Sequence, residues 1–443
     1  MPEPMPEPMP SRGGPPPGGG APRPGLSPWR FVTAFGVISL LSDVVYEGAR
    51  SITGPLLAGF GASAALVGVI TGVGEAAALV LRLGSGPLAD RGRHYWGWTI
   101  GGYALTVAAV PLLGLAGALW VACALVITER VGKAVRSPAK DTLLSHATAA
   151  VGRGRGFAVH EALDQIGAVA GPLLIAAGLA VTASYRPALL ALAVPGAVVL
   201  GLLWWLRARV PHPIDYEPDT EPTTTAAAGI PGGAHPRDGA PTGNARRAAG
   251  PVRAAGLPRE FWIYAGFAAL TMSGFATFGV LSFHLATRGL LPAPAIPLLY
   301  AAAMAVDALA ALATGFAYDR VGTRVLVVLP VLAAVVPVLA FSSSTAVAVA
   351  GSLVWGAAVG VQESTLRAVV ADLVPPTRRA TGYGIFAGAY GGAALIGGTL
   401  AGALYEKSVT LLIVVTAVVQ LAALGLLLAV RTRRSPHSQT ASS

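Results

Sequence analysis

Three ionisable residues, Asp43, Glu47 and Arg50, lie within a long apolar stretch near the start of the chain. Their spacing of four and then three positions places them on one face of a helix. An ionisable group at bilayer depth is costly unless it is paired or faces water. Two carboxylates and one guanidinium cannot all be neutralised in pairs, so one acid is left to bind and release a proton. The pattern therefore predicts a proton-coupling or substrate-binding site.

Further ionisable residues in other apolar stretches could line the same polar path. These residues are Glu129, Arg130, His284, Glu363 and Arg367. Each acid–arginine pair, including Glu47 with Arg50, could instead lock helices together, and the later pairs could form gating contacts on the inner side. Glu75 and Asp307 are secondary candidates. His160 and Asp164, four positions apart, could form a proton relay or lie at the inner membrane interface.

The composition of the chain indicates the environment of these residues. The 443 residues are 54% hydrophobic and 12% charged, with a mean hydropathy of +0.64, whereas soluble domains carry about 25% charged residues. Apolar stretches of about 20 residues recur, and each is long enough to cross a bilayer core of about 30 Å as a helix. We count twelve such stretches. The sequence therefore excludes an ordinary soluble globule and predicts an all-α polytopic membrane protein with twelve transmembrane helices.

Changes in composition divide the chain into five parts. The predicted parts are a disordered Pro/Gly-rich tail over 1–30, a six-helix bundle over 31–207, a flexible cytoplasmic linker over 208–258, a second six-helix bundle over 259–431 and a cytoplasmic tail over 432–443. The linker prediction rests on a Pro-, Thr-, Ala- and Gly-rich composition without a continuous apolar run.

Arginine and lysine are concentrated in alternate loops. If the amino terminus is cytoplasmic, the outer loops keep only Arg186, Arg288 and Lys407. This asymmetry predicts an integral plasma (inner) membrane protein with both termini in the cytoplasm. It also explains the formal net charge of +10 without nucleic acid, because basic loops beside membrane spans favour anionic lipid headgroups.

A short charged turn occurs twice, about half the chain length apart, after the second and the eighth apolar stretch. Its two copies contain Gly86, Asp90, Arg91 and Arg93, and Gly315, Asp319, Arg320, Gly322 and Arg324. Each copy predicts a tight basic hairpin in which glycine lets helices approach and the Asp can cap a helix start while it pairs with a nearby Arg. The repetition suggests two related halves.

These turns resemble the signature loop of the major facilitator superfamily, which reads roughly G-x-x-x-D-R-x-G-R-R between helices 2 and 3 and recurs between helices 8 and 9. The second copy matches well, and the first is one residue short after Arg91. The resemblance implies two pseudo-symmetric six-helix bundles around a cavity lined by helices 1, 4, 7 and 10. Those helices carry the ionisable residues Asp43 to Arg50, Glu129 with Arg130, His284, and Glu363 with Arg367.

Two further stretches carry narrower resemblances. Gly167, Gly171 and Pro172 in the fifth span resemble the Gly-Pro motif of proton-coupled exporters in this superfamily, although small residues one turn apart are also a common packing face in membrane helices. The segment 129–141, together with the Ser-Asp and Tyr-Glu pairs of the first span, resembles a prokaryotic branch with similarity to drug/proton antiporters.

The resemblance and the buried charges together predict secondary transport of a small solute by alternating access, with proton-coupled efflux as the leading hypothesis. The alternatives are facilitated diffusion or uptake of a metabolite and, from another class, a non-transporting membrane sensor on a transporter scaffold. The sequence has no nucleotide-binding loop, catalytic set or metal-ligand cluster. We therefore expect no enzyme activity, cofactor or metal, and as partners a small solute, protons and the lipid bilayer, with a monomer favoured.

Overall fold

The computed structural model describes residues 25–216, 257–375 and 378–432. Over these ranges the chain is α-helical, with two short 3-10 segments and no β-strand. The all-α prediction is therefore confirmed. Most of the predicted tail over 1–30, most of the predicted linker over 208–258, and the carboxyl-terminal residues 433–443 lie outside the described residues.

Fifteen α-helices follow one another along the described chain. The first half contains α1 Pro28–Gly59, α2 Ala64–Val80, α3 Arg82–Gly92, α4 Tyr95–Leu113, α5 Leu119–Val151, α6 Arg153–Thr182, α7 Tyr185–Ala191 and α8 Ala193–Arg209. The second half contains α9 Arg259–Ser273, α10 Phe278–Thr287, α11 Ala295–Val321, α12 Val328–Ala340, α13 Thr345–Leu373, α14 Arg379–Lys407 and α15 Val409–Thr432. The 3-10 segments are Pro213–Tyr216 and Gly322–Val327.

Ten stretches of the described chain are long and apolar enough to cross a membrane. One of them, Ala295–Ala340, contains both α11 and α12. The charged helix α5 is not among the ten, because it carries six charged residues from Glu129 to Asp141. A multi-pass membrane protein is therefore supported, while the count of twelve spans stays a prediction.

The aspartates of the two charged turns do not cap the helices that follow them. Asp90 lies in the last turn of α3, and its Oδ1 accepts a hydrogen bond of 3.1 Å from the hydroxyl of Tyr95 at the start of α4. The residue that caps α4 is His94, and it makes no side-chain capping bond. Asp319 likewise lies inside α11. The expectation that these aspartates cap the next helix is wrong; Asp90 instead ties α3 to α4.

Glycine has a clear conformational role in the second turn. α11 ends at Val321 and is followed by Gly322, where φ is 61° and ψ is −145°, a backbone conformation that residues with a Cβ rarely adopt. The 3-10 segment then leads directly into α12. The connection between these two helices is therefore short, and the tight basic hairpin stays a prediction.

Each half of the described chain has its own hydrophobic core. One buried cluster draws its members only from residues 261–427. Two other clusters draw theirs only from residues 31–216. Both halves therefore bury apolar surface independently, and they meet mainly where α2 packs against α14, α6 against α11, and α1 against α10.

Glycines allow the backbones of α2 and α14 to touch. A methyl group at Gly398 would lie 2.6 Å from the carbonyl oxygen of Gly68, and one at Gly72 would lie 3.0 Å from the carbonyl oxygen of Leu395. Without a hydrophobic drive between helices in lipid, such close approach supplies the packing energy. At the end of this contact Glu406 of α14 accepts a bond of 2.8 Å from the amide of Ala65 at the start of α2.

We expect Gly398→Ala to destabilise the protein, because its methyl group would meet backbone rather than a flexible side chain. A cost of about 1–3 kcal/mol is typical of overpacking at such a contact. The matched control on the same helix is Gly392→Ala, where an added Cβ meets nothing within 4 Å. Thermal unfolding of the purified protein should show a lower midpoint for the first variant and an unchanged or higher one for the second. Equal midpoints would contradict the glycine contact.

Candidate functional site

A cavity of about 400 Å³ lies between the two halves, within the range usual for small-molecule sites. The first half contributes Arg50, Glu75, Ala78, Leu79, Arg82, Arg130 and Lys133 to its wall. The second half contributes Met272, Phe275, Ala276, Thr277, Trp355, Val359, Gln362, Glu363, Leu366, Tyr383, Phe386, Ala387, Tyr390 and Ala394. Among the described side chains, the four cations of the wall therefore come from the first half, and the aromatic residues come from the second.

Arg50 is the centre of the charged wall. Its Nη2 lies 2.7 Å from Oε1 of Glu75 on α2, and its Nη1 lies 3.3 Å from Oε1 of Glu47 on its own helix. The side chains of Arg50 and Glu75 are 27% and 30% exposed, so this ion pair faces the cavity rather than a dry core. One guanidinium therefore bridges two carboxylates and joins α1 to α2.

Arg130 extends this charged group onto α5. Its Nε lies 3.1 Å from Oε2 of Glu129, and its Nη1 lies 3.8 Å from the same Glu75 oxygen that Arg50 contacts. Glu75 is thus shared by two arginines from different helices. The sequence ranked Glu75 as a secondary candidate; the structure places it in the middle of the cluster.

Glu47 also connects the two halves of the chain. The hydroxyl of Tyr300 on α11 donates a hydrogen bond to Oε2 of Glu47. Tyr300 is fully buried and packs against the rings of Phe278 and Trp355, so its hydroxyl is held in place. Sequence reasoning missed Tyr300, because a lone tyrosine in an apolar run gives no signal for a partner 253 positions away.

Asp43 is the acid that Arg50 does not neutralise. Only 6% of Asp43 is exposed, and its Oδ2 accepts a bond of 3.0 Å from the hydroxyl of Tyr46. The same hydroxyl oxygen accepts a bond of 3.0 Å from Nζ of Lys133, whose ammonium also lies 4.2 Å from the centre of the Tyr46 ring. Because Lys133 lines the cavity, a chain of two hydrogen bonds runs from the cavity wall to the buried Asp43.

Small residues fix the position of Asp43 from the other side. A Cβ on Gly167 of α6 would lie 2.8 Å from Cβ of Asp43, and one on Gly171 would lie 2.9 Å from the backbone nitrogen of Gly48. α6 continues through Pro172 to Thr182. The alternative reading of this motif as a packing face therefore has direct geometric support, and an exporter-like role for it stays a prediction.

His284 lies away from the cavity that the other candidates share. Its Nε2 donates to the carbonyl oxygen of Ser342 at 3.1 Å, and in that tautomer its Nδ1 accepts from the hydroxyl of Tyr405 at 2.9 Å. Both nitrogens are thus engaged within the second half. Glu363 does line the cavity, whereas the side chain of its predicted partner Arg367 is outside the described ones.

The other secondary candidates are dispersed. Asp307 is buried on α11, and its Oδ1 has no hydrogen-bond partner in the part of the chain that the structure describes. On α6, side-chain ligand atoms of His160, Glu161 and Asp164 lie within 4.8 Å of one another, so Glu161 joins the pair His160 and Asp164 that the sequence pointed to. Lys140 lies 3.9 Å from the Asp164 carboxylate, and its positive charge opposes a metal cation there.

The residues of the two charged turns do not line the cavity. In the first turn Asp90, Arg91 and Arg93 are exposed, and in the second turn Asp319 and Arg320 are exposed. Gly86 would bring a Cβ within 3.7 Å of Pro138 on α5, so that end of α3 packs against α5. A role of these turn residues in gating stays a prediction.

Comparison with known proteins gives three consistent findings. The family model described as Major Facilitator Superfamily matches residues 35–306 and 290–443. An uncharacterized protein of Mycobacterium tuberculosis is 58% identical over 416 residues, which cover 94% of this chain and 96% of that protein. Solved structures with a similar fold include a variant of the nucleoside transporter NupG, with a TM-score of 0.69 and 13% identity over 90% of this chain and 99% of that one.

Another solved structure with the same fold is a bacterial homolog to the human lysosomal transporter Spinster in an inward-facing and occupied conformation. Its TM-score is 0.66, with 16% identity over 92% of this chain and 98% of that one. At such low identity these two structures establish the fold alone.

We expect Glu75 and Arg50 to be energetically coupled, because removing either one leaves the other as a poorly compensated charge. In a double-mutant cycle with Glu75→Gln and Arg50→Gln, chemical denaturation should give a coupling energy of about 1 kcal/mol or more. Partial exposure keeps this value below that of a fully buried pair. Glu260→Gln, at an exposed position of α9, is the control and should be neutral. Additive effects of the two cavity variants would argue against the shared ion pair.

Proposed function

The chain belongs to the Major Facilitator Superfamily, and on that premise we propose that this membrane transporter moves a small solute by alternating access and couples that movement to protons. In such transporters the two bundles rock about a site near the middle of the bilayer. The cavity between the halves, with its charged and aromatic walls, is the proposed solute site.

The observation that carries proton coupling is the hydrogen-bonded chain from Lys133 through Tyr46 to Asp43. A proton that reaches the cavity can pass along this chain to a buried acid that forms no ion pair with an arginine among the described side chains. Protonation of Asp43 removes a negative charge close to Lys133, and it therefore changes how strongly the cavity wall attracts a charged solute. This link between a proton site and a solute site is what coupling requires.

The contact between Glu47 and Tyr300 supports a link from charge to conformation. Because the two residues belong to different halves, movement of one half against the other separates or rearranges them. Glu47 also shares Arg50 with Glu75. Because Arg50 and Glu75 line the cavity, a solute that binds there changes the charges around Glu47 and so affects its contact with Tyr300. We propose that these four residues couple solute and proton binding to the rocking movement.

We consider two directions of transport, each supported by a different feature of the chain. Export in exchange for protons is the first candidate, and it rests on the exporter-like stretch with Gly167, Gly171 and Pro172. Import together with protons is the second candidate, favoured by the contact of Lys133 with Tyr46. When Asp43 is neutral, Lys133 is freer to hold an anion, so proton and anion would bind together.

Flux measurements distinguish a sensor or a facilitated diffuser from proton-coupled export and import. A sensor on this scaffold binds its ligand without counterflow, and a facilitated diffuser shows no uphill movement when a pH gradient is imposed. We further propose a plasma-membrane location, cytoplasmic termini and a monomer. The orientation rests on the distribution of Arg and Lys among the loops.

We expect Asp43→Asn and Glu47→Gln to abolish uphill flux driven by a pH gradient while counterflow without a gradient persists, because neither amide can exchange a proton. The measurement uses proteoliposomes and the solute that most raises the unfolding temperature of the purified protein in a screen. Asp215→Asn, at an exposed position outside the helices that line the cavity, is the control and should retain full uphill flux. Full coupled flux in both Asp43→Asn and Glu47→Gln would overturn the assignment of the proton site, and absence of counterflow in the wild type would overturn transport itself.

A further inference from the structure

The two sides of the cavity differ in chemistry. Arg50, Glu75, Arg82, Arg130 and Lys133 form one side, and they all precede residue 134 in the chain. The facing side, from the second half, presents aromatic rings, including Trp355, Phe386 and Tyr390, together with the polar Gln362 and Glu363. A solute that satisfies both sides has a charged end and a flat apolar body, because aromatic side chains offer large apolar contact area with a preference for stacked or edge-on rings.

The sign of the charge on the solute can be inferred from which cations of the cavity wall already form an ion pair with a carboxylate. Arg50 contacts Glu47 and Glu75, and Arg130 contacts Glu129 and Glu75. Lys133 is different, because among the described side chains its ammonium forms no ion pair and has one hydrogen bond, to Tyr46. An ammonium has three donors, so two remain, on a partly exposed side chain in the cavity wall.

We propose that the cavity binds an aromatic organic anion, with its anionic group on Lys133 and its ring system against Trp355 and Phe386. This inference rests on the proposed function, since it names the class of solute that the transporter carries. A charge-assisted hydrogen bond to an anion is stronger than one to a neutral acceptor. The contact with Tyr46 holds the ammonium in place, so little side-chain entropy is lost when an anion binds.

The aromatic side is itself rigid enough to act as a platform. The indole nitrogen of Trp355 donates a bond of 2.9 Å to the carbonyl oxygen of Ala276. The ring of Phe386 stacks on that of Tyr264, with centroids 5.8 Å apart. Both rings are therefore held by neighbours in the second half. A solute spanning the cavity would touch both halves, and that is the contact through which binding can bias their rocking movement.

The test uses three naphthalene probes that keep one charge state near neutral pH: naphthalene-2-sulfonate, the neutral naphthalene-2-sulfonamide and the cationic 2-naphthylmethyl-trimethylammonium. Calorimetric titration of the purified full-length protein measures their affinities without any gradient. We expect the sulfonate to bind at least about tenfold more tightly than the amide, since a hydrogen bond to a charged group contributes that much. We expect the cation to bind most weakly. Equal affinities, tighter binding of the cation or no measurable binding of the sulfonate would overturn the proposal.

Variants of Lys133 test whether this residue causes the preference for the sulfonate. Lys133→Gln should lose the tenfold preference for the sulfonate while its weak affinity for the amide is unchanged, and Lys133→Arg should retain most of the preference. Lys407→Gln, at an exposed position at the end of α14, should behave as the wild type. Trp355→Phe should weaken all three probes alike. A preference that survives in Lys133→Gln overturns the assignment, and if that variant does not fold, the comparison of probes on the wild type still decides the solute class.

Flux measurements keep this inference distinct from the proposed function. If the sulfonate binds in the expected manner but proteoliposomes show no counterflow of it, the anion site stands and transport fails. If flux is found for cationic solutes alone, transport stands and the anion site fails.

Discussion

The sharing of Arg50 between Glu47 and Glu75 is the interaction on which the rest of the site depends. Charged groups at the depth of a bilayer are stable when they are paired and reach water, and Arg50 and Glu75 meet both conditions because they line a cavity between the two halves. The same grouping reaches α5 through Arg130 and the second half through Tyr300. One cluster of charges therefore contacts helices of both halves.

The remaining packing keeps this cluster in place and gives each half a core of its own. Each half buries its own apolar core, so the contact between them need not supply the stability of either. Between them lie glycine contacts, such as Gly68 against Gly398, and a few polar bonds, such as Glu406 to the amide of Ala65. Contacts of this kind depend on close fit rather than on a hydrophobic drive, and a modest change in charge can shift the balance between arrangements.

Helical periodicity and composition were enough to predict the all-α membrane fold and the clustering of Asp43, Glu47 and Arg50 on α1, because those features are local. The roles of Glu75, Lys133 and Tyr300 could not be predicted, since they arise from contacts between helices far apart in the chain. For His284 the sequence predicted a position in the cavity that the structure does not show. Its place in an apolar run suggested a cavity position, yet spacing does not say which neighbour a side chain meets, and Tyr405 and Ser342 hold it elsewhere.

The central claim is that a buried acid exchanges protons with the cavity through Tyr46 and Lys133. The most direct measurement is the number of protons that the purified protein takes up or releases when solute binds, followed with a pH indicator in weakly buffered solution. We expect a proton exchange that disappears in Asp43→Asn and is diminished in Tyr46→Phe, with uptake indicating joint binding and release indicating exchange. Solute binding without any proton movement, in the wild type as in the variants, would contradict the claim.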